Sequence, residues 1–295
     1  MANSITLVSK YLPLLDEKFA IESRSAVLDT TGDLIQSTAD AKTVLIAKMA
    51  LQGLANYSRD NGFVDGTVTL DWESHQFRYD RGRSFNIDAM DNDESLGILF
   101  ANVAGQFIRT QVAPEVDAIR FAEYATNAGL TKSETLTADT VVDALDDGIV
   151  AMEEKEAPAE TAIAFMTPTV YAAVKKSGKF TRPLTPSENP NRNYGSFDDH
   201  MVVKVPQTRF YTAIDLTASG AGGYAKKSTA SDINFMWVCP QSVVQITKHV
   251  APRVFSPEVN QKADAYKIDY RIYHDAWVLE NGKNGIYVST NNAAG

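Results

Sequence analysis

The most distinctive pattern in the chain is an alternation of apolar and polar residues between residues 64 and 89. Val68, Leu70 and Trp72 alternate with threonine and acidic residues, and Phe77 and Tyr79 resume the alternation after a polar stretch. A period of two places one set of side chains on one face of a β-strand. The pattern predicts a long β-ribbon with one apolar face, which needs a surface to cover because an isolated ribbon is marginally stable in water.

Two polar interruptions divide the predicted ribbon. Glu73-Ser-His75 predicts a turn, and Arg81-Gly-Arg83 predicts a second break. Before the ribbon, Val44, Ala47 and Leu51 recur at intervals of three and four residues, which predicts a short helix beginning near Thr38.

A long helix is predicted directly after the ribbon, over residues 91–112. An acidic cluster precedes an apolar stripe that extends from Leu96 to Phe107. Carboxylates favour the N-terminus of a helix, and the stripe has helical spacing. Pro114 is expected to break or restart this helix.

The remaining patterns mix helices and strands without regular βαβ units, which predicts an α+β fold. Helices are expected at residues 137–155 and 168–178, and strands at 161–166, 201–205, 233–238, 242–248 and 266–272. A turn rich in Asn and Gly is expected to fold residues 277–279 back onto residues 286–288 as a hairpin.

Composition limits the classes of function. The chain has 295 residues, 44% of them hydrophobic, a net charge of -9 and one cysteine. It can bury a substantial core in one or two domains. The acidic balance argues against a protein whose bulk surface holds DNA, although a local basic patch stays compatible with it. We expect neither an export signal nor a membrane span, because no apolar run of about 20 residues occurs.

No catalytic, cofactor-binding or metal-binding group is predicted. The four histidines are scattered, and no Cys-x-x-Cys spacing occurs. Gly220–Ala225 matches a loose dinucleotide pattern but lacks the strand before it and the apolar helix after it. Cys239 ends an apolar run and is expected in the core. We therefore predict a protein that is not an enzyme.

Several segments together resemble the major capsid proteins of tailed bacteriophages. They lie within residues 50–290, and their combination is more specific than any short motif. The segments are Leu54–Phe63, Gly66–Trp72, Tyr79–Asp88, Met90–Glu94, Ala113–Ala122, Tyr273–Glu280 and Gly285–Val288.

This resemblance implies the Hong Kong 97-like capsid fold and a division of the chain. Residues 1–57 would form the N-terminal arm with a short helix, and 58–90 the extended loop, called the E-loop. Residues 91–113 would form the spine helix of the peripheral domain. Residues 114–250 would form the axial domain, and 251–295 the peripheral-domain strands and C-terminus.

The resemblance also implies a function. The protein would be a structural subunit that self-assembles into hexamers and pentamers of an icosahedral phage head enclosing double-stranded DNA, without sequence-specific binding to that DNA. Assembly would occur in the host cytoplasm and the product would be the virion. Expected partners are other copies of the chain, a scaffolding protein, a portal, and maturation or decoration proteins, with no membrane.

The E-loop residues are the predicted inter-subunit contacts. Its packing face would consist of Val68, Leu70, Trp72, Phe77 and Tyr79. Asp80, Arg81 and Arg83 would make charged contacts across the interface, and solvated turn residues are the alternative for the two arginines.

Two other functions stay open at this stage. An encapsulin-like nanocompartment shares the fold and encloses an enzyme cargo. An enzyme with an unrecognised site is disfavoured, because the sequence contains no cluster of acid, base, metal ligand or nucleophile.

Overall fold

The computed structural model describes residues 23–29, 35–37, 43–57, 59, 63–90, 105–177, 194–216, 222–250, 253–260 and 263–291. The chain divides into two compact units. Residues 31–80 form the smaller one, the ribbon unit. Residues 1–30 and 81–295 form the larger one, the main unit.

Among the α-helices are α1 (Ala113–Thr126), α2 (Val141–Glu153) and α3 (Pro168–Lys176). The ribbon unit contains β1 (Ile35–Ser37), β2 (Thr43–Leu51) and β3 (Val68–Gln76). β4 (Tyr79–Asp88) begins at the end of the ribbon unit. The main unit continues with β5 (Leu130–Ser133), β6 (Ile163–Met166), β7 (Tyr194–Phe197), β8 (His200–Lys204), β9 (Ile214–Leu216), β10 (Tyr224–Lys226), β11 (Ile233–Val238), β12 (Val243–Val250), β13 (Arg253–Phe255), β14 (Ala265–Val278) and β15 (Ile286–Thr290).

A six-stranded mixed sheet, in the order β5-β15-β11-β6-β8-β7, forms the centre of the main unit. Its middle strand β11 is buried on both faces. Phe235 and Trp237 pack with Leu145 of α2, whereas Met236 and Val238 pack in a second cluster that contains residues of α1. A strand covered on both faces is apolar at every position, which explains its unbroken apolar run.

A second sheet is built around β14, which is 14 residues long. It pairs with β12, β13 and β4. Ile108, Val112 and Val116 pack against Tyr270 and Ile272 on this strand. The helical segment before and within α1 therefore covers the second sheet.

Pro114 lies where one type of helix changes into another. The described part of the predicted 91–112 helix begins at Gly105; the rest lies outside the described residues. Ile108–Val112 is π-helical and leads directly into α1. A proline has no N–H to donate within a helix, and the wider π turn before it accommodates its ring. The expected restart therefore takes the form of a change of helix type.

The helix predicted from Thr38 is wrong, because the described part of that segment is the strand β2. It pairs with β3 over its whole length, from Thr43 opposite Gln76 to Leu51 opposite Val68. Val44 and Ile46 are β-branched and buried. Their strand preference, together with the ladder to β3, outweighs the helical spacing.

The alternation correctly predicts strands in this segment, but the strands do not pair into one ribbon, and no turn lies at the predicted positions. β3 continues through residues 73–75 and β4 continues through residues 81–83, where turns were expected. β3 pairs with β2, whereas β4 pairs with β14. The alternation of apolar and polar residues shows which side chains share a face of a strand, but it does not show which other strand pairs with it.

Most elements predicted in the second half are confirmed within a few residues, and the α+β class is confirmed. The hairpin between residues 277–279 and 286–288 is wrong. A 3₁₀ turn at Glu280–Gly285 instead carries the chain from β14 into the central sheet, where β15 pairs with β11 and β5. Turn residues predict a reversal of the chain but not which strands pair after it.

A buried polar network attaches residues 23–29 to α1. The carboxylate of Asp117 is fully buried. It accepts hydrogen bonds from the Ser23 hydroxyl at 2.7 Å, the Arg24 N–H at 2.8 Å and the Ser25 hydroxyl at 2.7 Å. Arg209 Nη1 lies 3.1 Å from the same carboxylate. A buried charge requires this degree of pairing.

The neighbouring turn of α1 completes the attachment. Arg120 is fully buried and lies 3.3 Å from Asp29 Oδ1, and it donates to the Ser25 hydroxyl at 2.9 Å. Gln245 on β12 donates to Asp29 Oδ1 and to the Ser25 carbonyl, both at 2.7 Å. The segment Ser23–Asp29 is thus held by charged and polar groups from a helix and a strand.

We predict that Asp117→Asn destabilises the protein by about 3–5 kcal/mol, because it removes a fully buried negative charge that faces the half-buried guanidinium of Arg209. Urea unfolding followed by circular dichroism measures the change. Asp215→Asn, at an exposed strand position, makes the same change in charge and should shift the free energy of unfolding by less than about 0.5 kcal/mol. Equal effects of the two substitutions would contradict the network's role.

Candidate assembly surface

Large exposed hydrophobic side chains are concentrated in the ribbon unit. Of eleven among the described residues, eight lie between Leu51 and Trp72. Single exposed apolar residues are normal on a protein surface, whereas a contiguous group marks a site of interaction. The ribbon unit is therefore the strongest candidate surface for association.

One face of β3 carries an apolar strip. Val68, Leu70 and Trp72 are 64%, 56% and 44% exposed. Leu51 lies opposite Val68 on β2, and directly opposed residues share a face, so it extends the strip. We call these four residues the apolar strip. The other face of β3 carries threonine and acidic side chains.

The connection between β2 and β3 adds aromatic groups. The rings of Tyr57 and Phe63 lie 4.9 Å apart between centroids. The Thr67 N–H donates to Gln52 Oε1 at 3.1 Å, which links the two sides of the connection. Leu54 is fully exposed. The sequence prediction placed a helix through Leu54, so it did not identify these side chains as exposed. The β-branched residues Val44 and Ile46 of β2 were the signal for a strand.

The five residues predicted as a packing face occupy two kinds of environment. Val68, Leu70 and Trp72 are exposed, as an unassembled contact face requires. Phe77 is buried in the single chain at 8% exposure. Tyr79 is half-buried, with the Arg78 guanidinium 5.3 Å from the centre of its ring.

The three charged residues predicted beside them also differ. Asp80 is exposed. Arg81 forms an ion pair with Glu115 of α1, with Nε and Oε1 at 2.6 Å, and donates to the Gly223 carbonyl at 3.3 Å. Arg83 is exposed, and its guanidinium lies close to Gly222. Arg81 is thus engaged within its own subunit and is not a solvated turn residue. The contacts of all eight residues with another subunit stay a prediction.

Arg81 and Arg83 line a cleft of about 450 Å³ in the main unit. Its aromatic side includes Phe85, Phe107 and Tyr270. The ring centroids of the first two lie 4.8 Å apart, and those of Phe107 and Tyr270 lie 5.9 Å apart. Gly222 and Gly223 have φ values of +68° and +83°, a conformation that favours glycine and lets the loop approach Arg83 closely.

His274 lines the same cleft and is buried. Burial lowers the pKa of His274 to about 3, and the positive charges of Arg120 and Arg81 lower it further in the same direction. The imidazole is therefore neutral at physiological pH, which avoids a third positive charge near the two arginines.

The described residues supply little chemistry beyond packing. They contain no group of three His, Cys, Asp or Glu side chains that could hold a metal ion. Cys239 is confirmed as a core residue; burial raises the pKa of its thiol to about 11, and the thiol donates to the Pro158 carbonyl at 3.3 Å. None of the described helices is long and apolar enough to cross a membrane.

The fold is similar to that of solved capsid structures. A structure from Mycobacterium phage Che8 matches with 12% identity and a TM-score of 0.58, over 88% of this chain and 93% of that chain. The mature capsid of bacteriophage PhiM1 matches with 12% identity and a TM-score of 0.61, over 86% and 83%. A virus-like particle from Pyrococcus furiosus matches with 10% identity and a TM-score of 0.54, over 93% and 95%.

No family model matches the sequence, and none of the curated proteins does. At identities near 12%, the likeness is one of fold. The chain has the fold of phage capsid structures, which confirms the resemblance seen in the sequence at that level.

We predict that His274 makes the protein less stable in acid. The pKa of His274 is depressed in the folded state, so its contribution to stability is complete above about pH 6.5 and is lost as the pH falls towards 3. Between pH 8 and pH 5 this loss is about 2 kcal/mol. His274→Gln should show that much less pH dependence in urea unfolding, and equal pH dependence in both proteins would refute the assignment.

Proposed function

We propose that this protein is the major capsid protein of a tailed bacteriophage, a subunit that assembles into a closed shell. The fold of phage capsid structures over most of the chain supports the class of function. The concentration of exposed apolar side chains in the ribbon unit carries the proposal, since a subunit that works alone gains nothing from it.

The finer assignments follow from this role. The shell would be icosahedral, built of hexamers and pentamers, and would enclose double-stranded DNA in the virion after assembly in the host cytoplasm. A scaffolding protein, a portal, and maturation or decoration proteins would be its partners. Residues 58–90 would act as the E-loop, and the protein would have no enzymatic activity.

The apolar strip would be the main contact of the E-loop with a neighbouring subunit. Full burial of a Val or Leu side chain contributes about 1.5–3 kcal/mol, and these side chains are about half exposed in the single chain. Each would therefore gain on the order of 1 kcal/mol on assembly. Repetition of this contact around a shell makes a modest energy per contact sufficient.

We predict that the triple variant Val68→Thr, Leu70→Thr, Trp72→Thr folds but does not assemble. Threonine keeps the strand preference and removes the apolar strip. A loss of about 3 kcal/mol per contact raises the concentration required for assembly about a hundredfold, because every 1.4 kcal/mol is a factor of ten. Light scattering and negative-stain electron micrographs measure assembly, and circular dichroism measures folding.

The matched control is Thr69→Ser, Asp71→Glu, Glu73→Asp, which changes the other face of the same strand and keeps its charge. Shells should form from the control at the wild-type concentration. Normal shells from the threonine variant would overturn the role of the strip. A wild-type protein that stays monomeric with phage partners supplied would overturn the capsid function itself.

A nanocompartment of the encapsulin type is the second candidate, favoured by the likeness to the Pyrococcus furiosus virus-like particle. The contents of particles purified from the natural source separate the two. Long genomic DNA that resists external nuclease supports the phage head, whereas one specific co-purified enzyme supports the nanocompartment.

A further inference from the structure

Two lysines of the main unit contact one aromatic ring, and a third lysine is adjacent to one of them in sequence. Lys175 Nζ lies 4.8 Å from the centre of the Tyr171 ring, and Lys204 Nζ lies 4.9 Å from the same point. The two ammonium groups can therefore be no more than 9.7 Å apart. Lys176 follows directly on the last turn of α3. We call these three lysines and Tyr171 the lysine cluster.

The cluster is assembled by two elements that are distant in sequence. Tyr171 and Lys175 are four residues apart on α3, so their contact is local. Lys204 stands at the end of β8 and comes from a different part of the fold. The helix C-terminus favours Lys175 and Lys176 on its last turn, but it does not account for Lys204 on the same ring as Lys175.

The ion pairs of other lysines in the described residues provide a comparison. Lys132, Lys226 and Lys283 each lie within 3.0 Å of a carboxylate oxygen. Among the described residues, Lys175, Lys176 and Lys204 form no ion pair. Within the part of the chain that the structure describes, these three positive charges are not paired with a carboxylate, although the sequence has 37 acidic and 28 basic residues.

We propose that the lysine cluster binds the phosphate backbone of double-stranded DNA. Closely spaced ammonium groups match the closely spaced charges of a duplex, and Lys binds phosphate as a point charge without reading bases. Lys175 and Lys204 already contact the Tyr171 ring, so we expect DNA to bind through its phosphates and not by stacking a base on this ring. The bulk of the surface stays acidic, so contact with DNA is confined to this patch.

The proposal rests on the proposed function only for the source of the DNA, and the unassembled subunit suffices to test it. The probe is a fluorescently labelled duplex of random sequence, titrated with protein between 50 and 200 mM salt. The wild-type affinity should fall as salt rises, because each neutralised phosphate releases counterions. A protein that does not bind the duplex at 50 mM salt would overturn the proposal.

The site variant is Lys175→Gln, Lys176→Gln, Lys204→Gln. It should weaken binding at 50 mM salt at least tenfold, and it should reduce the salt slope by about 2–3, close to 0.9 for each phosphate contact. Tyr171→Leu removes the ring and should weaken binding about two- to fivefold while all charges remain. Circular dichroism checks that both variants are folded, which matters most for Tyr171→Leu because Tyr171 is partly buried against the core.

The matched control is Lys132→Gln, Lys226→Gln, Lys283→Gln, which removes the same charge from lysines that already have carboxylate partners. The control should keep the affinity of the wild type within about threefold, since these lysines are already neutralised. If both triple variants lost affinity for the duplex equally, binding would depend on the net charge of the protein and not on the lysine cluster, which would overturn the proposal. Shells that form normally from the site variant would leave the capsid function standing whatever the DNA result.

Discussion

The exposed apolar face of the ribbon unit is the constraint on which the rest of the account depends. Leu51, Val68, Leu70 and Trp72 lie on one face of a narrow sheet. Exposure of an apolar face to water is unfavourable in free energy, and a sheet of three strands has too little surface of its own to bury it. Under the proposed function, a neighbouring subunit would cover this face.

The main unit, in contrast, carries its own core. The central sheet is apolar on both faces, α1 and α2 cover opposite sides of it, and the buried Asp117 carboxylate is hydrogen-bonded to Ser25 and paired with Arg209. The main unit is thus stabilised by its own core, whereas the ribbon unit presents the surface that we propose for assembly. The lysine cluster is a local group of positive charges on a protein whose net charge is -9, so the net charge does not indicate it.

The sequence predicted the parts of this structure whose pattern is unambiguous. The alternation at Val68, Leu70 and Trp72 identified the apolar strip, and the unbroken run of β11 identified a buried strand. The helix assigned around Val44 failed because short apolar segments satisfy both periods, and the pairing with β3 decides between them. The Asp117 network and the convergence of Lys175 and Lys204 on Tyr171 join distant segments, so no local pattern could reveal them.

Thiol labelling of a Leu70→Cys variant tests the central claim most directly, because Cys239 is buried and the new thiol is the reactive one. The rate of labelling is compared between free subunits and purified particles, with the wild-type protein as the blank. The account predicts rapid labelling of the free subunit and labelling slowed at least a hundredfold in particles. Equal rates in the two states would show that assembly leaves the apolar strip exposed, which would contradict the account.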